Sequence, residues 1–581
     1  MEFIQTTLNY ELSISGDCAV IDSSTPLTPT PFVLAVQQAA QSDGKLIYNG
    51  DVTNLDFYVG GSDIYKQLLQ IRSITISGNL CGAFNNVRMK LECLNITGAI
   101  NNSFNAGIIY AEKVSLNTSS NQNISYSFNG TELEGKICRI NNPMSYSFNN
   151  SGIKFHSIDL INLGTGNLYN IQEAFSYSTI YVKKLNIQNT FIKSFGNSVF
   201  NDKDEPGHCL SVISSNTNEG FTSSEIYFDD IQYNSSNSVS LDFTNVQLYG
   251  CTADINIIQG ISGRLIRPGE FGFMNNSIIS LNKLSINGTF TDIFYQSTLD
   301  VKSLCVNGSL GDYSNIYNPF STIPKLHGIN LCSEKINISL FSTISGTDTR
   351  PIVLNNTMIK TCELNITLNN ITPGGDEIIK AKNFNLNIPV SYIAPNAVGS
   401  LTNSTIITDC FNASGILENS FAGTRILTDK LVMNGNLTGI FLADSQTGQT
   451  SLLYSSVKAK SAFFGGTLDS GFGGLNIMAC DIKFVGNFSP IEPVTIDAKE
   501  VSFTQFVPQA PVYIYGTKIL QACLVPETYT LTNTNVSISN VSLLFESLMN
   551  PEKLCLIKTN QITAPSIPPT FCRVDIVYEC C

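Results

Sequence analysis

Tryptophan is missing altogether from the 581 residues, histidine occurs three times, and Asp, Glu, Lys and Arg together make up only 14% of the chain. Each shortage excludes something. Without Trp, a lectin-like sugar platform lacks its preferred stacking ring, although 22 Tyr and 34 Phe remain. Lys and Arg are scattered and the net charge is −13, so no basic stripe exists to neutralise phosphates, and nucleic acid is not an expected partner. No apolar run reaches the roughly eighteen residues of a membrane span, so no transmembrane segment is expected. The opening words "MEFIQTTLNYELSIS" have neither a basic n-region nor an apolar h-region, and no signal peptide is expected within them.

Polarity comes instead from Asn, Ser and Thr, set beside a hydrophobic fraction of 43% that is enough for a long core. The 16 cysteines show no C-x-x-C and no Cys–His cluster of zinc spacing. An even, dispersed count fits local disulfides in an oxidising compartment. Cys93 in "LECLNI" and Cys305 in "SLCVNG" lie in apolar strand words and fit free thiols equally well. About twenty N-x-[ST] triplets occur, where composition alone gives on the order of a dozen. The expected N-linked glycan acceptors are Asn95, Asn117, Asn123, Asn129, Asn149, Asn234, Asn275, Asn287, Asn307, Asn337, Asn365, Asn403, Asn412, Asn436, Asn487, Asn535 and Asn540.

The phrase "SYSFN" occurs twice, from Ser125 and from Ser145, and belongs to a wider rule. A small residue is followed by Phe, then by apolar residues eight, eleven and thirteen positions after the small one. Ala83-Phe84 leads to Leu91, Leu94 and Ile96; Ser147-Phe148 leads to Phe155, Ile158 and Leu160; Ala174-Phe175 leads to Val182, Leu185 and Ile187. Looser copies start at Ser103, Ser127, Ile293, Ser420, Ser451, Gly471 and Pro490. The short apolar words alternate with period two, as strands do, and one such strand buries its face only by stacking on the next copy. The expected fold is therefore mainly β: a repeat solenoid, either leucine-rich-repeat-like or a parallel β-helix, with small caps at both ends.

Three zones follow. Residues 1–80 read as a strand, a Pro/Thr hinge "STPLTPTP" and a cap with helical words "FVLAVQQAA" and "IYKQLLQI"; residues 81–510 are the solenoid; residues 511–581 close it. In the first zone Leu8, Tyr10, Leu12 and Ile14 line one face of a strand word, which suits addition to the open edge of a neighbouring copy. The unit "AFNNVRMKLECLNI" resembles the BspA-like leucine-rich repeats, in spacing and over about three-quarters of the chain. That resemblance implies a surface or secreted adhesin or interaction protein. Here Ser often replaces the Ala of that family, the Pro after the strand word is absent and unit length drifts.

Little in the sequence points to catalysis. His156 in "KFHSIDL" is expected to face outward, and Asp202, Asp204 and Glu205 beside His208 read as a solvated acidic loop rather than a Ca²⁺ site. Asp229-Asp230 is the best carboxylate pair, but neighbours on a strand point to opposite faces, which argues against a dyad. No cofactor and no enzymatic activity are expected. The reading is a structural glycoprotein, extracellular or at a surface, partnered by itself and by N-linked glycans, as the subunit of a filament or coat. The alternatives are an adhesin-type binding module, a virus surface or fibre protein, and a carbohydrate-active solenoid enzyme.

Overall fold

The computed structural model describes residues 29–543 apart from intervening segments, the longest being 162–170, 260–273, 311–325, 343–353, 389–400, 442–454 and 522–535. The fold is mainly β, a repeat solenoid of parallel strands. The chain divides into two compact units, Met1–Asn170 and Ile171–Cys581.

The first unit opens with helices α1 (Pro31–Gln41), α2 (Leu55–Val59) and α3 (Gly61–Leu68). Thr30 caps α1, its hydroxyl accepting the Val33 N–H at 3.3 Å, and Pro31 stands where a missing N–H costs nothing. Phe32, Val33, Val36 and Ala39 form its buried stripe. Phe32 and Phe57 reach to 5.9 and 4.9 Å from the Phe84 ring, so the helices cover the first ring of the solenoid core. Parallel pairing runs from Lys45–Tyr48 through Ser73–Ile76, Arg88–Ile96, Ile108–Asn117 and Glu132–Asn141 to Gly152–Ile161. A second column of two-residue strands joins Val52–Thr53, Leu80–Cys81, Ile100–Asn101, Ile124–Ser125 and Met144–Ser145. Among the described residues the ladder thus begins at Lys45, within the zone that the sequence assigns to a cap.

In the second unit the same pairing passes from Thr179–Gln188 to Cys209–Ser214 and Glu225–Ser240, and later strands carry it to Val494–Phe506, Val512–Gln521 and Val536–Ser539. Among the described residues no helix follows Leu68.

The spacing rule has a direct physical meaning. Leu91, Leu94 and Ile96 are buried, as are Phe155, Ile158 and Leu160, and Val182, Leu185 and Ile187. The step of three between the first two is a bend in the strand, where two consecutive residues both turn outward. Phe84, Phe104, Phe128 and Phe148 stack face to face in the first unit with ring centroids 4.9, 4.7 and 4.6 Å apart. Phe175, Phe195, Phe221 and Phe243 do so in the second at 5.1, 5.3 and 5.0 Å. These phenylalanines whose angles stand out have φ near +60°, for example Phe104 at 61°, Phe128 at 58° and Phe148 at 61°. That left-handed conformation costs a side-chain-bearing residue about 1–2 kcal/mol. Burying the ring contributes about 1.5–3 kcal/mol and stacking about 0.5–1.5 more, so the turn is retained.

Ladders of polar side chains join the rungs. Before the Phe, Ser103, Ser127 and Ser147 each accept the N–H of the equivalent residue one rung earlier, at 3.0, 3.1 and 3.2 Å. This explains why Ser displaces Ala in the repeat. Three residues after the Phe a second hydroxyl column does the same and also donates to a backbone carbonyl, as Ser198 does to Phe175 at 2.8 Å and Ser277 to Phe243 at 2.8 Å. After the Phe, the side-chain oxygens of Asn85, Asn105 and Asn129 accept the N–H of Asn105, Asn129 and Asn149 at 2.7, 2.8 and 2.8 Å.

In the described rungs from Phe84 to Ile161, length varies at one place. The interval from Phe to the first core residue of the long strand is five positions in Phe84–Met89, Phe104–Ile109, Phe128–Leu133 and Phe148–Ile153. From the last core residue to the next short strand the interval is four for Ile96–Ile100, eight for Leu116–Ile124 and four for Ile140–Met144.

Candidate functional site

Cysteine, histidine, tyrosine and aspartate side chains converge at the bend of the rungs containing residues 207–254. Contrary to the sequence expectation, Asp229 and Asp230 do not point to opposite faces: Phe228 and Ile231 are buried and both aspartates are half-exposed, because they occupy the two outward positions of the bend. Asp229 Oδ2 accepts the backbone N–H groups of Gly207 and His208 at 2.5 and 2.9 Å, and Oδ1 lies 3.2 Å from the Tyr227 hydroxyl and 3.6 Å from the Cys251 thiol. Partial burial pushes this carboxyl up, but the N–H groups of His208 and Gly207, aided by Tyr227 and Cys251, outweigh it and hold the group below its ordinary range. Asp230 is met by the Thr252 hydroxyl at 2.8 Å, and Asp254 by Lys283 at 3.7 Å.

Cysteine, histidine and aspartate at one spot invite comparison with a nucleophilic triad. The His208 imidazole is 3% exposed, its Nδ1 4.0 Å from Asp229 Oδ2. Desolvation, followed by the hydrogen bond to Asp229 and its charge, raises the Cys251 thiol, which therefore stays protonated at neutral pH and is a poor nucleophile. What the carboxylate does is hold the segment 207–208 against the next rung. Among the described residues no group of three or more His, Cys, Asp or Glu is placed to hold a metal ion.

His156 is exposed on the outer face, as expected from its strand position. Asp202, Asp204 and Glu205 lie outside the described residues, as do Asn535, Asn540 and the strand word carrying Leu8, Tyr10, Leu12 and Ile14. Cys93 and Cys305 are free and half-buried, and Cys138, Cys209, Cys251 and Cys410 are also free thiols.

The sequon asparagines fall into distinct groups. Many are ladder members. Asn365 donates to Asn337 at 2.9 Å, Asn385 to Asn365 at 2.8 Å and Asn412 to Asn385 at 2.9 Å, one amide per rung along the outer face. Asn256 donates to Asn234 at 2.8 Å, with Asn287 and Asn307 in register beyond it, and Asn141 donates to Asn117 at 2.7 Å. Asn129 uses both ends of its amide, the nitrogen donating to Tyr146 O at 2.9 Å. These amides run along the solenoid, because a parallel stack offers each one a partner a rung away. Asn275 is buried, at 0% exposure. Asn95 and Asn436 are half-buried in strands, Asn149 is half-buried beside its turn, and Asn487 lies in Leu475–Phe488. Asn123, Asn307 and Asn403 are exposed.

No family model, curated protein or solved structure matches this chain. No helix among the described residues is long and apolar enough to cross a membrane.

Proposed function

We propose that the chain is a non-enzymatic structural glycoprotein, extracellular or at a surface, and the subunit of a filament or coat. The observation that supports this most is the destination of its polar side chains. Asparagine amides and buried hydroxyls, the groups that an enzyme or receptor would aim at a ligand, are instead bonded from rung to rung. Such ladders make a stiff body out of a weakly charged chain, a property useful to a scaffold. The spacing-level resemblance to BspA-like surface proteins points the same way. In this reading the strand word with Leu8, Tyr10, Leu12 and Ile14 adds to the open edge of a second copy, a contact that repeats head to tail without closing. Glycans sit on Asn123, Asn307 and Asn403.

Electron microscopy of the native material tests the assembly. A polymer that is lost when residues 1–22 are deleted, with the rungs still folded, supports the reading; a truncated protein that still polymerises, or a native protein that stays monomeric at high concentration, refutes it. A peptide map tests the glycans: Asn123, Asn307 and Asn403 occupied and Asn275 bare is the expected result, and all bare favours the virus-particle alternative. One observation favours the adhesin alternative. Tyr126, 42% exposed, stacks on Tyr146 at 5.1 Å, a small aromatic platform on the first unit.

A further inference from the structure

The second hydroxyl column has one member of a different kind. Ser404, Thr424 and Ser455 continue it in the second unit: Thr424 Oγ1 accepts the Ser404 N–H at 3.3 Å, and Ser455 donates to Phe421 O at 2.9 Å. At the position preceding Ser404 stands Glu377, whose N–H donates to Ser404 Oγ at 3.1 Å as the column requires. Its side chain is 1% exposed. Oε2 lies 2.7 Å from Ser404 Oγ, while Oε1 is buried with no hydrogen-bond partner among the described residues.

A hydroxyl in this column both accepts and donates; a carboxylate only accepts. If Glu377 is ionised, the single Ser404 hydrogen is drawn to it and away from Thr402 O, 3.0 Å distant. If Glu377 is protonated, its O–H donates to Ser404, the Ser404 hydroxyl donates to Thr402, and the column is continuous. We propose that the Glu377 rung is a proton-operated joint, closed when the carboxyl is protonated and loosened between Ile378–Ile388 and Thr405–Glu418 when it ionises. Burial first of all, with the charge of Asp376 adding to it, raises this carboxyl against the Ser404 hydroxyl and its own N–H, to about 7 from an ordinary 4.5. Among the described side chains, the other charges on the strands around it, Lys360 and Glu363 before, Lys380 and Lys382 on its own strand, Asp409 after, and Arg425, Asp429 and Lys430 one rung beyond, are exposed or half-exposed.

The sign follows from linkage. A carboxyl raised in the folded state binds its proton more tightly there than in the open chain, so the joint is fully closed below about pH 4.5 and loses stability as pH rises through about 7. Hydrogen exchange of the full chain, corrected for intrinsic rates, tests this. Between pH 4.5 and 8.5, amides of residues 378–388 and 405–418 should lose protection by up to about 300-fold, a tenfold change for each pH unit between the two values. Amides of 278–290, a strand without a carboxylate, should change far less. Glu377→Gln, which keeps a donor, and Glu377→Ser, which restores the column, should both remove the pH dependence of residues 378–388, leaving in 405–418 only the part due to Asp409, whose carboxyl burial also raises. Constant protection in the native protein, or the same pH dependence in either variant, overturns the proposal.

Discussion

Phe128 is buried, has φ of 58°, and lies between Phe104 at 4.7 Å and Phe148 at 4.6 Å. Truncating it to Ala removes both stacks and leaves a cavity, a loss of about 3–5 kcal/mol for a buried Phe. Alanine keeps a Cβ in the left-handed region and so retains a penalty of about 1–2 kcal/mol. Glycine has no such penalty, and its own cost relative to Ala is about 0.5–1 kcal/mol. Phe128→Gly should therefore be as stable as Phe128→Ala or better, by up to about 1.5 kcal/mol on those figures. At buried Leu133, in the same rung but without a positive φ, the order should be the ordinary one, with Leu133→Gly below Leu133→Ala by about 0.5–1 kcal/mol. Hydrogen exchange of amides in 124–141 reads local opening energies without assuming a two-state array. A Phe128→Gly variant less stable than Phe128→Ala by about 1 kcal/mol or more would refute the claim that stacking holds the ring in a strained turn.

Asn365→Ala removes one amide from the middle of the Asn337–Asn365–Asn385 ladder and should cost about 1 kcal/mol at this half-exposed site, read as lost protection in the adjoining strands. No loss would mean that the ladder is decorative. Asp229→Asn should weaken the hold on residues 207–208 by about 1–2 kcal/mol at neutral pH. Because this carboxyl is held below its ordinary range, its contribution is present above that range and vanishes as pH falls through the folded value. Wild type and variant should therefore converge on acidification, and a constant gap would contradict the carboxylate's role.

The buried positions were legible because burial demands apolar atoms at fixed intervals. Leu91, Leu94 and Ile96 are recognisable by spacing alone, and even the strand's bend is written there, as the step of three. Reading Asp229 and Asp230 by strict alternation overlooked that step. The asparagines were opaque for a different reason. An outward amide looks the same in sequence whether it bonds a neighbour from a strand, as Asn385 does, or stands exposed in a turn, as Asn403 does. Only the parallel register, which sets Asn365 against Asn385, tells them apart. Left-handed phenylalanines were equally hidden, since that conformation is normally announced by Gly or Asn. Glu377 is a further instance: its place in a hydroxyl column appears only once the rungs are aligned.

The fixed interval after each Phe and the variable one before each short strand give the first unit unequal tolerance to added chain. One extra residue between Phe128 and Leu133 would displace the Thr131–Ser151 bond and turn Leu133 out of the core. The interval from Leu116 to Ile124 is already twice that from Ile96 to Ile100, and the pairing of Ile124 with Ile100 and Met144 is kept. That corner is where foreign peptide can be carried: a loop spliced there lengthens the excursion without moving any rung. Guests placed at the same corner of successive rungs would emerge side by side, at the roughly 4.8 Å repeat of the strands.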